Sequence, residues 1–139
     1  MGKGLSEKTV AVLELITGLG IILFWVGFFT VGLAPANPPD GYFVFEHSFP
    51  PPDSALALTL IASAVLLLRG KPLGRPLSLV AGGGLIFLGV IDFSFNIQNG
   101  MYAISALDAL LNGFINLWCV GLGAFLVFRF ARQCDAASR

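Results

Sequence analysis

Charge is scarce in this sequence. Lys, Arg, Asp and Glu together make up 12% of its 139 residues, where a soluble domain carries about 25%. Apolar residues reach 56% and the mean hydropathy is +0.86, so the composition is that of a membrane protein. Histidine occurs once, as His47, which excludes a multi-histidine metal site within one chain. Cysteine occurs only as Cys119 and Cys134. On one helix these lie about 22 Å apart, too far for an internal disulfide, and they form no Cys-x-x-Cys redox motif. Phosphate-loop, nucleophile-elbow and zincin motifs are also missing, so standard nucleotide and hydrolase chemistry has no support.

The few charges are placed unevenly. Every Lys and Arg falls at the N-terminus (Lys3, Lys8), in a middle turn (Arg69, Lys71, Arg75) or at the C-terminus (Arg129, Arg132, Arg139). A chain with four spans puts those places on one side, and the positive-inside rule makes that side cytoplasmic. The opposite side holds Asp40, Glu46, Asp53, Asp92 and Asp108 with no Lys or Arg. Such a surface attracts cations and repels nucleic acid.

The apolar runs predict four spanning helices, at about 10–33, 54–68, 77–95 and 106–130, given that a span needs about 20 residues. The expected architecture is a single all-α membrane domain, an antiparallel four-transmembrane-helix bundle over 1–139 with both termini cytoplasmic, in a plasma or inner membrane. Ser6 is a candidate N-cap for the first helix. Ala34-Pro35-Ala36 resembles a signal cleavage site, but the preceding run is longer than a signal h-region and reads as a span. Residues 34–53 form one long outer loop rich in proline and aromatics, with six of the chain's eight prolines. Its central YFVFEHSF run reads as extended or irregular, and Asp53 as the cap of the second span. Arg69-Gly-Lys-Pro-Leu-Gly-Arg75 is a cytoplasmic turn. Ser78 and Gly82 form a small-xxx-small pair that predicts close approach of a neighbouring helix. Asn99-Gly100 signals the outer turn, and Ser105 with Asp108 resembles a capping box opening the fourth span.

The candidate site lies in Asp92–Asn116, the most polar stretch within the apolar part of the chain. Asp108, Asn112 and Asn116 are spaced i, i+4, i+8 and form one helical stripe, while Asp92 and Asn96 form a second on the preceding span. A short hairpin containing Asn99 brings the stripes to overlapping depths, with Asn116 about 15 Å into its helix. A charged carboxylate there is costly unless a cation or hydrogen-bond donors meet it. Oxygen ligands of this kind suit a hard cation or a shared proton. The same amides also serve as hydrogen-bond glue between helices. Glu46, His47 and Asp53 read as a lid over the site. A metal is left open and no cofactor is assigned.

Glu14 lies about two turns into the first span and reads as a side chain snorkelling to the cytoplasmic interface. An acidic residue in the first of four short spans is a feature of small multidrug-resistance transporters. The proline-rich outer loop departs from their pattern, and the sequence is not assigned to that family. Vitamin K epoxide reductases share a four-helix bundle, but their chemistry needs the Cys-x-x-Cys motif missing here.

Three functions follow as expectations. The first is binding or transport of a cation, proton or cationic small molecule in an outward-facing acidic and amide pocket. The second is an accessory subunit whose stripes bind a membrane partner protein. The third is an enzyme acting on a lipid or isoprenoid, with Asp92, Asp108, Glu46 or His47 as acid–base candidates. The lipid bilayer is the expected surrounding, and several copies of so short a chain are needed to line a path.

Overall fold

A computed structural model describes residues 5–137, with side chains described as far as residue 133. Lys3, Arg139 and the side chain of Cys134 therefore lie outside the described residues. The described chain is all-helical, with no strand. Among the described residues five helices are present: α1 (Glu7–Thr30), α2 (Tyr42–Glu46), α3 (Pro50–Leu68), α4 (Gly74–Gln98) and α5 (Ala106–Ala137), with a 3₁₀ turn at Met101–Ala103 before α5. Four segments are long and apolar enough to cross a membrane, the second combining α2 and α3. Their apolar residues do not all point inward. Leu23, Leu58, Phe87, Leu110 and Leu117 are all more than three-fifths exposed, as expected of helices that shed apolar surface into lipid.

Local chemistry fixes the helix ends. Ser6 caps α1 by accepting from the Thr9 amide at 3.2 Å, and Glu7 complements the dipole in the first turn. α1 stops where Gly32 turns left-handed at φ 78°, just ahead of the loop prolines. Two expectations for the loop change here. The YFVFE run is helical, entered from Gly41 at φ 80°, because a single isolated turn satisfies its backbone where flanking prolines forbid a longer helix. α3 begins at Pro50, with Phe49 in the N-cap position. The first amides of a helix have no internal acceptor, so Pro50, Pro51 and Pro52 lose nothing by lacking them. Asp53 consequently sits inside the first turn as a core residue, and not at the cap. At the start of α5, the Ser105 hydroxyl accepts from the Asp108 amide at 3.0 Å and donates to the Asp108 carboxylate. Ser105→Ala should cost about 1 kcal/mol, read as a lower midpoint in detergent-titrated unfolding followed by circular dichroism.

Successive spans pack antiparallel. α1 meets α3 through Glu14–Ser63 and Trp25–Asp53, and α3 meets α4 through Ser63–Ser78. α4 meets α5 at Gly82–Gly123 and again at Gly89, which faces Asn116 and Cys119. Trp118 on α5 spans to α1, its indole N–H donating to the Thr17 hydroxyl at 3.0 Å. The largest core cluster includes Val10, Leu60, Leu85, Leu126 and Phe130. A second cluster, of Trp25, Phe28, Tyr42 and Met101, closes the end that carries the long loop. At the other end, Arg75 of α4 pairs with Glu7 of α1 at 2.9 Å.

Candidate functional site

Two groups of polar side chains lie among the packed helices, one toward each end. At the loop end, α1 contributes Trp25, whose indole N–H donates to Asp53 Oδ2 at 2.8 Å. Both residues are under 10% exposed. A buried indole N–H and a buried carboxylate each need a partner, and here they supply one another. α2 contributes Glu46 and α4 contributes Asp92, both half-buried. Glu46, Asp53 and Asp92 lie within electrostatic range of one another. Tyr42, itself buried, lies in the field of Glu46, Asp92 and Asp108.

Aromatic rings pack at the same end of the bundle. Phe45 of α2 stacks on Phe95 of α4 with ring centroids 3.8 Å apart and planes 5° from parallel. Tyr42 also approaches Phe95, at 6.4 Å. Below Asp53 a crevice of about 150 Å³ runs between α3 and α4, lined by residues including Phe49, Leu56, Gly84 and Phe87. Among the described residues that line it, Asp53 alone is ionisable.

The amides anticipated from the sequence divide into two kinds. Asn112 donates to the Asp108 carbonyl and Asn99 to the Phe95 carbonyl, each bond staying within four residues of chain. These two side chains are occupied locally. Asn116 is 1% exposed, its amide donating to the Tyr102 hydroxyl at 2.8 Å, while its Oδ1 has no hydrogen-bond partner among the described residues. Asn96 is buried as well. Of the residues expected to form a lid, Glu46 joins the acids and Asp53 belongs to α3. His47 is exposed and lies against Phe28 and Phe29, stacked on the latter at 5.8 Å. No three His, Cys, Asp or Glu side chains among the described residues are arranged to hold a metal ion.

The second group lies toward the opposite end and corrects one expectation. Glu14 does not reach the interface: it is wholly buried. Its Oε2 accepts from the Ser63 hydroxyl of α3 at 3.0 Å. Ser63 Oγ lies 2.6 Å from Ser78 Oγ of α4, and both hydroxyls reach the Gly74 carbonyl at 3.1 Å. Snorkelling needs an open route to water along the helix face, and α3 and α4 close that route. Ser63, Ser78, Trp25, Tyr42 and Tyr102 were not singled out as parts of these sites by sequence reasoning. A tryptophan or a serine in a span is ordinary until a neighbouring helix brings its partner.

Comparison with protein-family models, curated proteins and solved structures finds no match to this chain.

Proposed function

We propose that the loop end of the bundle faces away from the cytoplasm and binds a cationic small molecule, an amine or quaternary ammonium. The observation that carries this reading is that Glu46, Asp53 and Asp92, from three different helices, lie within electrostatic range of one another. No Lys or Arg occurs between residues 9 and 68 or between 76 and 128, so no Lys or Arg nearby in sequence neutralises the carboxylates, and His47 turns to Phe28 and Phe29. An organic cation supplies the missing charge, and the ring of Tyr42, in the field of Glu46 and Asp92, adds an aromatic face. The donor set favours an organic cation over a chelated metal, because the acids share a field without forming a compact ligand cage. The positive-inside rule supports a cytoplasmic position for the other end, where Lys8, Arg69, Lys71, Arg75, Arg129 and Arg132 gather.

The test compares thermal stabilisation by a panel of amines with that by their neutral isosteres, in detergent or nanodiscs. Wild type should be stabilised by at least one amine, and Asp92→Asn should need about tenfold more of it. Equal stabilisation by the amine and its neutral isostere, or an amine effect unchanged in Asp92→Asn, would reject the reading.

A further inference from the structure

We propose that the Glu14 node is a second, separate site, which holds a small monovalent cation, Na⁺ or Li⁺, in exchange with a proton. Its elements are four groups from three helices: the Glu14 carboxylate, the Ser63 and Ser78 hydroxyls, and the Gly74 carbonyl. All of their contacting atoms are oxygen, and each lies 2.6–3.1 Å from at least one other member.

The node has too few protons for its oxygens. Ser63 and Ser78 bring one hydroxyl proton each. Those two protons must serve Glu14 Oε2, the Gly74 carbonyl and each other's oxygen. Glu14 Oε1 is then left with no donor among the described residues, although it is fully buried. A bare carboxylate in such a place is costly, because burial removes it from bulk solvent and no basic side chain among the described residues hydrogen-bonds to it. The charged groups on the surrounding elements do not fill this role. Glu7 and Arg75 pair with each other, and Lys8, Arg69 and Lys71 make no hydrogen bond to Glu14.

Charge and size select the occupant. One carboxylate is balanced by a proton or by a monovalent ion, whereas a divalent ion leaves an uncompensated positive charge in the bundle. The node's oxygens stand at hydrogen-bond distance from one another, so an entering ion displaces the bridging protons and spreads the oxygens, and a small ion demands the least spreading. Carboxylate, hydroxyl and carbonyl oxygens are the ligands that hard cations prefer. This site does not depend on the loop-end reading, since it shares no residue with it.

The test measures thermal unfolding of the full chain in detergent, in NaCl or LiCl against choline chloride at equal ionic strength. Na⁺ or Li⁺ should raise the melting temperature of wild type by several degrees. Glu14→Gln should abolish that increment, and Ser63→Ala should raise the concentration needed by about tenfold. A second readout needs no variant. Modification of Glu14 by a hydrophobic carbodiimide, located by peptide mass spectrometry, requires the protonated carboxyl and should be slowed by Na⁺ or Li⁺ but not by choline. Equal melting in all three salts, or carbodiimide labelling at Glu14 that none of them slows, would overturn the proposal. Neither result bears on amine binding at Asp92.

Discussion

Gly123→Val should largely unfold the bundle, or separate α4 from α5, with a loss of about 3 kcal/mol or more. A Cβ placed on Gly123 would stand 2.6 Å from the Gly82 carbonyl oxygen and 2.9 Å from the Ile86 amide nitrogen. Both obstructing atoms belong to backbone, so no rotamer change relieves the clash and the helices must move apart. Moving them apart also strips contacts around Leu85, Leu122 and Leu126, which are under 10% exposed. Within a membrane, this close van der Waals packing supplies the attraction that apolar burial supplies in water. Gly121→Ala is the matched control. A Cβ there meets nothing within 4 Å, so the substitution should be neutral or stabilising by up to about 1 kcal/mol through helix propensity. Unfolding by titration with a denaturing detergent measures both. Equal midpoints for Gly123→Val and wild type would refute the claim that this contact holds the two helices together.

The four long helices were legible because their signal is local. An apolar run of sufficient length has few alternatives, and turns such as Asn99-Gly100 carry their own chemistry. Capping at Ser6 and at Ser105–Asp108 was legible for the same reason, since each partner lies within three residues. The loop is less legible, because proline both breaks helices and starts them. At Pro50–Pro52 the missing amides belong to a helix start, and the position of Phe49 reveals this only once the backbone is known. Least legible was the choice among polar residues. The i, i+4 spacing placed Asp108, Asn112 and Asn116 on one stripe, but side-chain bonds within a helix take up Asn112. Sequence spacing cannot distinguish an amide bonded to its own helix from one reaching across to another. The long-range partners, Trp25 with Asp53 and Glu14 with Ser63, are 28 and 49 residues apart, and no local pattern joins them.

The Trp25–Asp53 bond should prove the most strongly coupled side-chain pair at the loop end. Trp25→Phe retains most of the apolar ring but removes the donor, leaving Asp53 Oδ2 without its indole partner inside the bundle. A loss of about 1–3 kcal/mol is expected, the cost of stranding a buried acceptor. Asp53→Asn leaves a carbonyl oxygen able to accept from the same indole N–H, so it should cost less than Trp25→Phe. Asp53→Leu instead leaves the indole N–H without its acceptor, at about 1–3 kcal/mol. In the double variant Trp25→Phe/Asp53→Leu neither partner remains to be stranded, so the loss should fall below the sum of the two singles by about 1.5 kcal/mol. Additive losses would mean that each residue acts through packing alone. The same cycle bears on ligand binding. If Trp25 fixes the Asp53 carboxylate beside Glu46 and Asp92, Trp25→Phe should weaken amine binding although the ring still closes the end of the bundle. Unchanged amine affinity in a folded Trp25→Phe protein would assign the bond to stability alone and leave Glu46 and Asp92 as the charges a ligand meets.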